Sequence, residues 1–189
     1  MYAFEYQRPG SVATAIGAAT GDARYLAGGQ SLVQSMKLRL SSSSTLVDLA
    51  GIEALRGIGR DGASLTIGAM TRHSEVARSA EVRAAIPALA DLAGGIGDPM
   101  VRNMGTLGGS IANFDPAADY PAGVLGLGAT VRTERRAIPA DDFFQDMFTT
   151  ALQPGELIVS VSFPVPQRAA YVKFKQPASR FALVGVFVS

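Results

Sequence analysis

An α+β fold in two parts, a small α/β lobe followed by a larger mixed-sheet lobe, is what these 189 residues predict. Three observations carry the prediction. Near the amino terminus a strand, a glycine turn, a helix and a second strand follow in that order, the signature of an α/β unit. Farther along, strands are mixed with separate helices, as in an α+β unit. The composition, 48% apolar and only 17% charged, demands a packed core and excludes a disordered chain.

The elements can be justified in order. Residues 11–20 form an Ala-rich helical stretch bounded by Gly10 and Gly21. Residues 24–27 read as a short strand that runs into Gly28-Gly29. In residues 30–40, Leu32, Val33, Met36 and Leu40 recur at helical intervals. The serine run 41–44 breaks that pattern, and residues 45–48 read as a strand. These elements make up the small lobe, residues 1–55. In the larger lobe, residues 56–175, positions 64–68 alternate as a strand and 71–78 form a helix capped by Thr71. Pro87 suits a helix first turn and opens 88–93. Strand-like segments follow at 110–112, 130–133, 157–163 and 171–174. Residues 176–189 begin a third part. Their apolar run from Phe181 would present an exposed edge, so it reads as the start of something longer.

Charge and cysteine content remove several classes of function. Lys plus Arg number 17 and Asp plus Glu number 16, without the basic excess of a nucleic-acid binder. There is no Cys, which excludes disulfides, thiol nucleophiles and cysteine-ligated iron–sulfur clusters, and His73 is the only histidine. Redox chemistry would need a borrowed organic cofactor. No signal pattern and no run long enough to span a membrane is present, so a soluble cytoplasmic protein is expected.

Glycine is over-represented, at 21 residues against a typical share of roughly 7%. Much of it falls in compact groups, where backbone must turn sharply or approach something closely. In Ala27-Gly28-Gly29-Gln30-Ser31-Leu32, a strand delivers the chain to two glycines and a helix start. Amides there can converge on an anion, with the Ser31 hydroxyl as a further donor; an ordinary tight turn is the plainer alternative. Neither the GxGxxG spacing nor a P-loop lysine is present. The second group, Thr106-Leu107-Gly108-Gly109-Ser110-Ile111-Ala112-Asn113, reads as another strand-flanked double glycine. Two such loops could hold the two halves of one pyrophosphate. Asp119, after Pro116-Ala117-Ala118, suits either a hydrogen-bond acceptor for a sugar or ring, or a helix cap. His73 reads as a packing or capping residue. Asp141 reads as a helix cap with Phe143 and Phe144 toward the core, and Arg132, Arg135 and Arg136 as a solvated hairpin cluster.

Together the two loops resemble the FAD-binding medium subunit of molybdenum hydroxylases, the family of aerobic carbon monoxide dehydrogenase and of the xanthine dehydrogenase flavin domain. Supporting motifs are Ile67-Gly68-Ala69-Met70-Thr71-Arg72-His73, Gly97-Asp98-Pro99 with Arg102-Asn103, and Asp115-Pro116-Ala117-Ala118-Asp119-Tyr120-Pro121-Ala122. The resemblance implies a two-lobed FAD-binding fold of the PCMH type with FAD between the lobes. It implies pyrophosphate contacts from Gly28, Gly29, Gln30 and Ser31, with Leu26, Ala27 and Leu32 also at the cofactor. Thr106, Gly108, Gly109 and Ser110 would hold the other phosphate and the ribityl chain. Asp119 matches a cofactor-contacting acid, Ile158 an apolar residue near the flavin, and Lys175 a basic residue at the cofactor. Ser110 stands where many relatives carry Asn or Asp, and Ile96 where xanthine dehydrogenase carries an aromatic. No residue is assigned a catalytic or metal-binding role. The resemblance also implies a carboxy-terminal domain of about 100 residues, largely absent here.

The implied partners are a [2Fe–2S] subunit and a molybdopterin-containing large subunit, in a dimer of heterotrimers. FAD on this chain would then release electrons to NAD, a quinone or oxygen. Two alternatives compete with that electron-exit subunit: a self-contained flavin-dependent oxidoreductase, and a non-catalytic FAD-binding assembly module.

Overall fold

The computed structural model describes residues 1–189. In chain order its elements begin with β1 (Glu5–Gln7), α1 (Val12–Ala18), β2 (Arg24–Leu26), α2 (Leu32–Lys37) and β3 (Thr45–Asp48). Then come β4 (Ile58–Asp61), β5 (Ser64–Gly68), α3 (His73–Arg78), α4 (Ala80–Ala85), α5 (Pro87–Gly94), α6 (Pro99–Met104), α7 (Leu107–Asn113) and α8 (Tyr120–Gly126). The remainder is β6 (Thr130–Thr133), β7 (Ala137–Pro139), α9 (Ala140–Phe143), β8 (Phe144–Asp146), β9 (Thr149–Thr150), β10 (Ile158–Pro164), β11 (Ala170–Lys175) and β12 (Ala182–Val188).

The amino-terminal strands form a small parallel sheet in the order β1-β3-β2. Its helix α1 starts where Ser11 accepts from the Thr14 amide and the Thr14 hydroxyl accepts from the Ser11 amide, a reciprocal cap. The central sheet, β4-β5-β10-β6-β7, is antiparallel throughout. Helices α3, α5, α7 and α8 pack with it around the principal core of 27 buried residues, centred on Leu89, Leu92, Leu107, Tyr120 and Phe163. The small sheet has a core of only seven, and two of these, Met70 and Leu157, lie far along the chain beside the central sheet. The two sheets therefore share packing, which fixes the cleft between them.

Three local expectations are corrected. The segment 110–112 is helical: Leu107 and Ile111, four residues apart and both fully buried, turn one face of α7 to the core. Thr71 does not cap α3. Its hydroxyl donates to the Gly57 carbonyl at 3.1 Å, and the Glu75 carboxylate takes the Arg72 amide at 2.7 Å. Asp141 lies inside the first turn of α9 after Pro139, with no side-chain cap; Phe143 is buried and Phe144 half-buried.

The carboxy-terminal strands β11 and β12 form a separate hairpin on α5 and α8. Phe187 enters the core, where a Cβ on Gly126 would lie 2.9 Å from its ring. The opposite face, with Val172, Phe174, Val184 and Val186, is exposed. No helix is long and apolar enough to cross a membrane.

Candidate functional site: a cleft between two glycine loops

The carboxyl end of β2 leads through Gly28 and Gly29 into α2, so the loop leaves a parallel sheet on the side where such sheets bind ligands. Gly29 has a φ of +70°, which an L side chain rarely adopts. The amides of Gly28, Gly29, Gln30 and Ser31 donate to no acceptor in the chain. Four successive free donors beside a cleft make an anion cradle.

The second loop joins α6 to α7, so helices flank it rather than strands. Apart from that of Thr106, its amides are already engaged. Leu107 donates to the Thr71 carbonyl at 3.1 Å, Gly108 to Ala69 at 2.8 Å, and Ser110 to Thr106 at 3.0 Å. The Thr106 hydroxyl accepts from the Gly109 amide at 3.2 Å and caps α7. Glycine here serves close approach. A Cβ on Gly108 would lie 2.6 Å from the Ala69 Cβ, and one on Gly105 2.5 Å from His73 Nε2. The loops also meet each other, because a Cβ on Gly28 would collide with the Met104 carbonyl and lie 2.7 Å from the Gly105 Cα.

Between the loops lies a cleft of ≈ 430 Å³. Residues 27–32, Thr106, Gly108, Gly109, Ser110, Asp119 and Ile158 all reach its wall. Leu26 and Lys175 do not. A bulge between Phe174 and Lys175 ends the alternation of β11 and leaves Lys175 exposed. The buried lysine is Lys173, whose Nζ lies 2.8 Å from Asp119 Oδ1. Asp119 precedes α8 but does not cap it. Tyr171, which the sequence could not place, donates its hydroxyl to Asp119 at 2.6 Å.

The electrostatics of the wall follow from these pairings. Lys173 neutralises Asp119. Arg136 holds Glu156 by two hydrogen bonds of 2.9 Å, helped by the Thr133 hydroxyl and the Gln153 amide. Those bonds, the Arg136 pair first, lower the Glu156 carboxyl to about 2. Arg136 is thus engaged rather than merely solvated. Arg24 and Arg180 line the cleft without a carboxylate partner, which adds to its preference for an anion. His73 is 5% exposed, with Nδ1 unpartnered and its ring 5.3 Å from that of Tyr120. Burial, then the Arg102 charge, lowers it to about 4, so the imidazole is neutral at pH 7.

Apart from the clustering of glycine, the sequence offered no sign of Arg24 or Arg180 at this wall, or of Lys173 behind Asp119. The period-two spacing of Tyr171 and Lys173 in a strand would have paired those two on one face.

Free amides on the first loop, glycines that let the second loop close in, and unpaired arginines at the wall suit a dinucleotide's phosphates; Ile96, Ile158 and Phe181 give an apolar stretch for a planar ring. The class defined by this fold and cleft is an FAD-binding protein. The model of the FAD binding domain in molybdopterin dehydrogenase matches residues 2–166, and the chain belongs to that family. It is similar to the carbon monoxide dehydrogenase medium chain of Hydrogenophaga pseudoflava, with 40% identity over 98% of this chain and 68% of that protein. The glyceraldehyde dehydrogenase medium chain of Sulfolobus acidocaldarius is 35% identical over 97% of this chain and 68% of its own length. Among solved structures, carbon monoxide dehydrogenase from H. pseudoflava superposes with a TM-score of 0.92 at 39% identity, covering 97% of this chain and 68% of that one. Quinoline 2-oxidoreductase from Pseudomonas putida 86 gives 0.93 at 34% identity, covering 97% and 67%. The chain is thus an FAD-binding oxidoreductase subunit of the molybdenum hydroxylase family.

Proposed function

We propose that this chain is the electron-exit component of a molybdenum hydroxylase. In this reading it takes electrons from a [2Fe–2S] partner subunit, fed by a molybdopterin-containing large subunit, and delivers them to NAD, a quinone or oxygen. A cytoplasmic dimer of heterotrimers is the assembly that suits it. The observation that carries the reading is the run of free amides at residues 28–31, facing the closed second loop across the cleft. Bound FAD supplies a carrier that accepts and releases electrons singly or in pairs.

The chain's own residues bind, orient and exclude water. The amides of residues 28–31 and the Ser31 hydroxyl bind phosphate oxygens, and Arg24 and Arg180 balance their charge. The second loop spends all its amides but that of Thr106 on its own fold and presents hydroxyls, from Thr106 and Ser110, to the ligand. Asp119 accepts a hydrogen bond from a ring or sugar donor. Leu157 and Ile158, 4% exposed each, keep water from the apolar end. In this reading substrate choice belongs to the molybdopterin-containing subunit, and the clusters belong to the other partner, because with no cysteine this chain cannot hold them through thiolates.

The test is a visible spectrum of the purified chain, alone and assembled with its partner subunits, after incubation with FAD or riboflavin. Retention of FAD but not of riboflavin is expected, since the cradle recognises phosphate. No flavin bound in either preparation overturns the reading. Reduction of the bound flavin directly by simple organic substrates would favour a self-contained oxidoreductase instead.

A further inference from the structure

The hairpin β11–β12 is attached to the molecule through one face only. Its outer face is exposed and apolar, and an isolated two-stranded hairpin is marginally stable in water. The inner face contributes Tyr171, Lys173 and Phe187. Phe187 packs on α8, while the two polar side chains converge on one carboxylate, that of Asp119. Lys173 Nζ lies 2.8 Å from Oδ1 and 3.0 Å from Oδ2, and also donates to the Gly95 carbonyl after α5 at 3.1 Å. The side chains of Lys173 and Asp119 are 5% and 4% exposed. The Tyr171 hydroxyl is seated above Gly185 of the facing strand, where a Cβ would lie 2.7 Å from it. Burial, then the bond to Asp119, raises its pKa, so it remains a donor. Asp119 is part of the cleft wall, and residues 179–181, the connection between β11 and β12, line the same cleft.

We propose that Lys173, with Tyr171, is a positioning residue that aims the Asp119 carboxylate into the cleft and thereby links docking of the hairpin to cofactor occupancy. The inference rests on the reading that this cleft holds FAD. A buried carboxylate is costly without compensation from a partner. Lys173 supplies it while leaving lone pairs of Asp119 for a ligand donor. One carboxylate thus serves the ligand on one side and the hairpin on the other. By linkage, whatever FAD gains from a fixed Asp119 is returned as tighter docking of the hairpin.

The test combines FAD affinity with amide hydrogen exchange, in whichever preparation, the chain alone or the assembled complex, retains FAD. In the wild type, FAD should slow exchange at Ala170–Lys175 and Ala182–Val188. Lys173→Met should weaken FAD binding about 10-fold or more, the usual scale for losing a hydrogen bond to a charged group, and should abolish the FAD-dependent slowing. Tyr171→Phe, which keeps the ring packing, should do the same to a lesser degree, and Lys173→Arg should recover part of the affinity. In Asp119→Leu/Lys173→Met, an apolar pair should redock the hairpin without restoring FAD affinity. Unchanged affinity in Lys173→Met, or no effect of FAD on hairpin exchange in the wild type, overturns the inference. Failure of the wild type to bind FAD in either preparation instead defeats the functional reading beneath it.

Discussion

Gly28 and Gly17 show how differently one residue type can act. Gly17 lies inside α1 with no atom within 4 Å of an added Cβ, so Gly17→Ala should stabilise the protein by about 0.5–1 kcal/mol. Gly28→Ala should destabilise by about 1–3 kcal/mol and lower FAD retention, because its methyl group forces the loops apart. Urea titration of both variants checks the signs. His73 makes a pH prediction. Its folded pKa, about 4, lies below the ordinary 6.5, so its contribution to stability is complete above pH 6.5 and is lost as pH falls toward 4. The full effect is on the order of 3 kcal/mol. Between pH 6.5 and 4.5 the melting temperature of the wild type should drop more steeply than that of His73→Gln. Below 4.5 both should lose the contribution of Glu156, whose folded pKa of about 2 lies under its ordinary 4.5. The sequence reads His73 as a packing or capping residue, but its distance from water and from Gly105 belongs to the fold.

At the scale of elements, α7 is the instructive case. Its segment carries Ile and Ser next to glycines, which as a string reads like a strand. Burial of Leu107 and Ile111 on one face, with Thr106 capping the first turn, makes it a helix. Thr106→Val should cost about 0.5–2 kcal/mol, the usual range for a lost cap, and should loosen the second loop; Thr106→Ser should restore both stability and FAD retention. Thermal melts together with flavin content measure this. Strands β2, β3 and β5 were legible because short β-prone runs end at glycine or serine signals. Strand β1 was not, since Glu5–Gln7 carries no alternation and pairs only because β3 offers it an edge. A bulge invisible in the sequence likewise decides that Lys173, and not Lys175, is buried.

For the molecule as a whole, the cleft runs between a sheet with a seven-residue core and one with a core of 27, so a ligand that touches both should act as a clamp. FAD at 100 times its Kd should add about 2.7 kcal/mol to unfolding, a rise of roughly 5–10 °C in Tm for a chain of this size. The rise should grow with FAD concentration, whereas riboflavin should give little. A Tm independent of FAD would show that the folded chain does not bind it.

The sequence by itself determined the α+β class and the two glycine loops, because glycine clustering and local periodicity are properties of neighbouring residues, and the motifs around those loops resemble the family to which the chain belongs. It also excluded iron–sulfur clusters held by this chain's own thiolates, since there is no cysteine. Only the tertiary structure decided how the two loops divide their work. Both carry double glycines, but the first keeps its amides free while the second gives all but that of Thr106 to acceptors that include Ala69, Thr71 and Thr106. The Ala69 and Thr71 acceptors are fixed by the packing of β5 and α3 against the loop, and hydrogen-bond partners across such separations leave no local trace in a sequence.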